Sequence, residues 1–177
     1  MSCRVLVYIA CSLDGFIAGP DGDLSWLPVP PEGEDYGWGD FIGAVGCLLV
    51  GRGTYDAVAA MGIAWPHAER DTLVATTRPL SAPPARVTAA SGPIDELVRL
   101  AKGRAGERNV YVDGGSLVRQ ALDADLVDAM TVTLCPVILG RGQPLFAGAA
   151  SRHRVELKEQ RRLPPGLVQL TYVPLRR

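Results

Sequence analysis

Two short glycine-bearing stretches are the residues best suited to chemistry in this chain. Gly51-Arg52-Gly53-Thr54 follows the apolar run Cys47-Leu48-Leu49-Val50, and Asp113-Gly114-Gly115-Ser116 follows Val110-Tyr111-Val112. Each reads as a buried strand that stops in a turn and opens a helix. The amides of a first helical turn lack intrahelical acceptors and the helix dipole adds partial positive charge, so such a turn attracts phosphate. Glycine removes the Cβ that would hold an anion away from the backbone. Two such turns in one chain point to a ligand with more than one phosphate, and a nucleotide cofactor is the economical choice.

Other chemistries find less support. Ser12 has no evident histidine and acid partners, which argues against a hydrolase triad. His67 and His153 stand apart among polar neighbours without metal-ligand spacing, so both are expected at the surface, and no metal is expected. The four cysteines, Cys3, Cys11, Cys47 and Cys135, form no Cys-x-x-Cys pair and mostly sit in apolar runs. If on one strand, Cys3 and Cys11 lie about 26 Å apart, too far to pair, and no disulfide framework is expected.

The elements that must hold the two turns follow from the hydrophobic pattern. With 177 residues, 47% of them hydrophobic, the chain has the size of one domain with a substantial core, taken here as residues 1–177. A formal net charge of −1 gives no reason to expect nucleic acid or an anionic membrane as partner, and the closing Arg176-Arg177 pair is too short to change that. No run approaches the roughly 18 apolar residues of a membrane span, and Met1-Ser2-Cys3-Arg4 leads straight into a strand-like segment, so a cytoplasmic location is expected.

Residues 4–10 are rich in β-branched and aromatic side chains without strict alternation, as in a strand buried on both faces. Similar runs recur at 47–50, 72–75, 86–89, 109–112 and 129–134. Helical periodicity lies between them at 54–61, at 94–102 with Gly103 as its end, and after Gly115. Phe41, Ile42 and Val45 mark a glycine-diluted helix. Residues 155–160 and 167–173 flank Leu163-Pro164-Pro165-Gly166 and predict a terminal hairpin. The order implies an α/β fold, a mostly parallel sheet covered by helices and closed by an antiparallel edge.

Five motifs in order give these pieces a family likeness: Ser12-Leu13-Asp14-Gly15 with Phe16-Ile17-Ala18; Gly51 to Tyr55; Thr76-Thr77-Arg78-Pro79; Val112 to Leu117; and Pro136 to Gly142 followed by Pro144-Leu145-Phe146. Together they resemble the dihydrofolate reductase-like superfamily, in particular the branch formed by the reductase domain of bacterial riboflavin biosynthesis and its stand-alone relatives. The resemblance implies a three-layer fold around a twisted eight-stranded sheet, with NADPH across the carboxyl ends of the central strands. It implies an NADPH-dependent oxidoreductase for a small heterocyclic or ribosyl-aminopyrimidine substrate, of the 5-amino-6-(5-phosphoribosylamino)uracil reductase type or a paralogue. The alternatives are dihydrofolate reduction and a non-catalytic NADP- or folate-binding module.

Carried over by position, the resemblance assigns Gly51, Arg52, Gly53 and Thr54 to cofactor phosphate at one helix start, and Gly114, Gly115, Ser116 and Leu117 to the pyrophosphate and nicotinamide half at the other. Thr77 and Arg78 fall where the adenosine 2′-phosphate is received, with Thr76 beside them among the cofactor-binding positions; a guanidinium beside a hydroxyl suits a dianionic monoester. Ala10 and Ile17 border the nicotinamide. On the substrate side stand Ser12, Asp14, Trp26 and Thr133, with Arg141 a candidate for a substrate phosphate. Asp14 also suits a brace for the turn into Gly15, and Trp26 either a lid or a loop anchor. Counting back from Gly51 places Asp35 at the carboxylate that assists protonation, with a helix cap as its competing role. Asp113 is read as holding its turn by accepting backbone hydrogen bonds. Residues 131–135 and the terminal hairpin are candidates for a homodimer interface.

Overall fold

Val5–Ser12 (β1) lies at the middle of an eight-stranded sheet, with parallel neighbours on both sides. The computed structural model describes residues 3–176, so Met1, Ser2 and Arg177 lie outside the described residues. In chain order β1 is followed by Phe16–Ala18 (β2), Trp38–Gly43 (α1), Val45–Gly51 (β3), Arg52–Ala60 (α2), Asp71–Ala75 (β4), Val87–Ala90 (β5) and Ile94–Ala105 (α3). Asn109–Asp113 (β6), Gly115–Asp123 (α4), Ala129–Cys135 (β7), Gln143–Pro144 (β8), Val155–Leu163 (β9) and Leu167–Pro174 (β10) complete it.

The sheet order is β5-β4-β3-β6-β1-β7-β10-β9, and β2 pairs with β8 in a small second sheet. Strands β5, β4, β3, β6, β1 and β7 run parallel; β10 and β9 add an antiparallel edge. Among the described residues no helix is long and apolar enough to cross a membrane.

Side-chain alternation divides the core into two faces. Cys47 and Leu49 of β3 join Val110 and Val112 of β6 in a cluster with Leu97 and Val98 of α3 and Leu117 and Val118 of α4. Leu48, Val50 and Tyr111 point the other way, where they meet Tyr55 of α2 and Trp38, Phe41 and Ile42 of α1. Both faces are covered, which is why these strands read as continuous apolar runs.

Three local expectations change in three dimensions. Val45 is fully buried as the first residue of β3 and does not extend the preceding helix. Its strand must pass close under α3: a Cβ on Gly46 would stand 2.5 Å from the Ala105 carbonyl oxygen. Helix α3 continues through Gly103 and ends at Gly106, whose φ of 62° is the conformation glycine favours. His67 and His153 are half-buried, contrary to the surface expectation. His67 packs between the rings of Trp38 and Trp65, and Nε2 of His153 lies 2.8 Å from Asp123 Oδ1.

Candidate active site

The chain leaves β1, reaches β3 over the place later filled by β6, and returns to β6 only after β4 and β5. The strand ends around this reversal form the crevice where ligands of open α/β sheets bind. Three cavities adjoin here. The first, of about 380 Å³, follows β3, β4, β5 and β6 and is lined by residues of both glycine turns together with Thr76, Thr77, Gly92 and Gln143. The second, of about 280 Å³, shares Gly53, Thr54 and Gln143 with the first and is walled by Ala10, Ile17, Leu24 and Leu27. The third, of about 440 Å³, shares Tyr8, Ile9, Ala10 and Leu27 with the second and reaches Asp35, Tyr36, Trp38 and Thr133. These shared walls set the three side by side along the strand ends, as one cleft region.

The two glycine turns meet in the first cavity. A Cβ on Gly114, whose φ is 99°, would lie 3.1 Å from Thr54 Oγ1 and 3.6 Å from the Gly51 amide nitrogen. One on Gly115 would overlap the Pro144 carbonyl oxygen. At Gly51 and Gly53 a Cβ would meet nothing within 4 Å, so both face open space. Neither α2 nor α4 has a side-chain cap or an acid in its first turn. By contrast α3, whose Leu97 lines the same cavity, carries Asp95 and Glu96 in its first turn. Of the helix starts on this cavity, those of α2 and α4 are thus the ones left electrostatically suited to an anion.

Arg52 does more than add charge. Its Nε donates to Asp56 Oδ1 at 2.7 Å and its Nη1 to the Pro79 carbonyl at 3.2 Å, which ties the loop after β4 to α2. Thr76 Oγ1 accepts the Arg78 amide at 3.0 Å and holds that loop's turn. The Arg78 guanidinium is 69% exposed and stands 3.6 Å from Asp56 Oδ2. Asp56, which the sequence did not single out, is therefore shared by both arginines.

Ser12 and Asp14 act together. Ser12 Oγ, fully buried, donates to Asp14 Oδ1 at 2.7 Å and accepts the Phe16 amide at 2.9 Å. Asp14 also accepts the Leu139 and Gly140 amides at 3.1 and 2.7 Å. The Ser12 hydroxyl first, and then these amides, hold its carboxyl below the usual range. The pair braces the β1–β2 turn against the loop carrying Arg141, which is exposed. Trp26 donates from Nε1 to the Asp23 carbonyl at 3.1 Å and packs on the Cys135, Leu163 and Leu167 cluster, while Leu24 and Leu27 of the same loop line the cleft.

Two carboxylates on the cleft have opposite characters. Asp35 accepts the Gly37 and Gly39 amides at 2.7 and 2.9 Å, which brace the start of α1 and hold its carboxyl below the usual range. It lines the third cavity in this capping arrangement. Asp113 lines the second cavity at the end of β6. Burial pushes its carboxyl up to about 6, although its Oδ1 accepts the Gly114 amide at 2.8 Å. Thus Asp113 holds its turn and is also the carboxyl able to carry a proton near neutrality.

A polar network that the sequence did not reveal backs the third cavity. Buried Gln169 of β10 donates from Nε2 to Tyr8 Oη at 2.9 Å and to Thr133 Oγ1 at 3.2 Å. Tyr8 donates in turn to the Tyr36 carbonyl at 2.6 Å. These residues lie on four separate segments, and no spacing signals their convergence. Among the described residues no group of three or more His, Cys, Asp or Glu side chains is placed to hold a metal ion.

An eight-stranded, mostly parallel sheet with helices on both faces, a terminal antiparallel pair and a cleft across its central strand ends defines a dihydrofolate reductase-like protein. Residues 4–169 match the RibD C-terminal domain, and the chain belongs to that family. It is 34% identical to the Bacillus subtilis protein YwjB over 175 residues, covering 98% of this chain and 99% of that one. The crystal structure of a "Putative riboflavin biosynthesis protein" from Shewanella sp. PV-4 superposes with a TM-score of 0.88 at 30% identity, over 98% of this chain and 99% of that chain. Dihydrofolate reductase from Enterococcus faecalis, solved with NADP(H), shares the fold with a TM-score of 0.65 at 16% identity, over 98% and 97% of the two chains.

Proposed function

We propose that this protein is an NADPH-dependent reductase that transfers hydride to a small heterocyclic acceptor, of the phosphoribosylaminouracil reductase type or a paralogue of it. The observation that carries this reading is the adjacency of the cavities: two uncapped, acid-free helix starts share walls with an apolar slot that holds a protonatable carboxyl. Family membership and the NADP(H)-bound neighbour of the same fold support it.

The residues present suit the cofactor. The backbone at Arg52, Gly53 and Thr54 and at Gly115, Ser116 and Leu117 receives the phosphates, and Thr76, Thr77 and Arg78 receive the adenosine 2′-phosphate, with Arg78 exchanging Asp56 for it. Ala10 and Ile17 border the nicotinamide and exclude water. When bound, the cofactor supplies a hydride; reduction of a C=N bond also requires a proton. Asp113 holds that proton at its carboxyl oxygen, because burial keeps it neutral to about pH 6. Asp35 stays ionised and takes part as an acceptor of substrate hydrogen bonds. Ser12 and Asp14 position the loop above the acceptor, while Thr133 offers its hydroxyl to it.

The reading includes a homodimer across the β9 edge; residues 131–135, the other candidate, lie on β7, whose two edges are taken by β1 and β10. Every residue of β9 before Leu163 is exposed, and among the described residues the strand pairs only with β10.

The test is a fluorescence titration with NADPH and NADH on the wild type and on Arg78→Ala. Tight NADPH binding, weak NADH binding and loss of that preference in the variant support the reading. Binding of neither nucleotide overturns it.

A further inference from the structure

The acceptor half of the cleft has a charge that its riboflavin-type relationship does not lead one to expect. Three carboxyl side chains line the second and third cavities: Asp113, held toward its neutral form by burial, in the inner one, and Glu34 and Asp35 in the outer. Among the described residues, no lysine or arginine lines either cavity, and Arg141, the sequence candidate for a substrate phosphate, is exposed on its loop. The cation behind this region is Arg161, whose Nη1 stands 3.5 Å from Gln169 Oε1 and whose charge falls on Asp35 and Tyr8. It offsets Asp35 and leaves the outer cavity without net positive charge.

The rest of the lining suits a flat ring. Tyr8, Tyr36 and Trp38 face the outer cavity with Leu27, Pro28 and Leu167. Its uncharged polar groups are few. Tyr8 Oη already donates to Tyr36 and accepts from Gln169, whereas Thr133 Oγ1 accepts from Gln169 and keeps its own proton to donate. Asp35 holds its two amides and retains further acceptor positions, since a carboxylate offers about four lone-pair sites. A ligand here meets carboxylate acceptors and the Thr133 hydroxyl.

Resting on the function proposed above, we propose that the acceptor half takes a small, unphosphorylated aromatic N-heterocycle, neutral or cationic, that presents N–H donors to Glu34 and Asp35. A phosphate monoester brings nearly two negative charges and calls for a cationic fork, and here it would face carboxylates across a partly desolvated cavity. An acceptor with a dicarboxylate tail meets the same opposition. The cleft would thus be sorted by charge, with phosphate belonging to the cofactor end.

Calorimetric titrations with two matched pairs test this: ribosylaminouracil against its phosphate, and a dihydropterin against dihydrofolate. Each is run on the protein with and without NADPH, so that the acceptor comparison is read even if the cofactor fails to bind. The expected result is binding at least tenfold tighter for the uncharged member of each pair, with the gap narrowing as salt is raised. In Glu34→Gln the gap narrows through tighter binding of the anionic members, and in Glu34→Lys it narrows further. Glu34 is exposed, so these variants leave the core intact; Asp35→Asn, which retains one capping oxygen, is the third of the series. Equal or tighter binding of the phosphorylated or dicarboxylate member overturns the proposal, as does failure of all four compounds to bind. Failure of NADPH alone to bind counts against the cofactor reading and not against the charge sorting.

Discussion

The two ends of the cleft are built from different materials. At the end formed by β3, β4, β5 and β6, the wall is largely backbone: glycines at 51, 53, 114 and 115, two helix starts without caps or acids, and Arg52 tying down the neighbouring loop. At the end formed by β1, β7 and the loop before α1, it is made by side chains: Asp113, Asp35, Tyr8, Thr133 and the Gln169 network. Backbone donors recognise what all phosphates share, while side chains can be exchanged without altering the fold. The first end is therefore suited to a common cofactor and the second to divergence in substrate.

The largest effect that would break this division is expected at Asp113. Asp113→Asn keeps an oxygen for the Gly114 amide but has no acidic proton, so kcat should fall by about 10²- to 10⁴-fold with NADPH affinity little changed. Steady-state kinetics beside a cofactor titration reads both; an unchanged kcat would reduce Asp113 to a turn residue. The pH profile sharpens the same point. A donor must be protonated, and the folded carboxyl loses its proton near 6, so kcat/KM should be level below that pH and fall toward tenfold per unit above it. The fall should vanish in Asp113→Asn.

At the other end, Gly115→Ala drives a Cβ into the Pro144 carbonyl oxygen. The cost should be about 1–3 kcal/mol of stability together with weakened NADPH binding, read by thermal melting and titration. The smallest expected effect belongs to Arg78→Ala. Its guanidinium is mostly exposed, so losing it should cost about tenfold in preference for NADPH over NADH, or ~1.4 kcal/mol. Equal loss for both nucleotides would place Arg78 away from the 2′-phosphate.

The parts of the site legible in the sequence are those made by consecutive residues. A strand, a glycine turn and a helix start occupy under ten positions, so both glycine turns could be placed before any packing was known. Asp35 could be counted to, but not whether amides or a ligand would occupy it; its carboxyl accepts Gly37 and Gly39. His67 looked solvent-facing because its sequence neighbours are polar, yet Trp38 arrives from 29 residues earlier to cover it. Gly103 looked like a helix end, yet the helix runs on to Ala105 and stops where Gly106 takes positive φ.

The sequence by itself determined the alternation of strands and helices, the places where helices open after strands, and the family, because each depends on local pattern and order. Only the tertiary structure decided that Gly114 abuts Thr54, that Gln169 links Tyr8 to Thr133 across 161 and 36 positions, and that Asp113 titrates near 6 while Asp35 stays low. Hydrogen-bond partners and desolvation depend on what comes near in space, and in a parallel sheet the strands that meet are joined by long crossovers that no local spacing records.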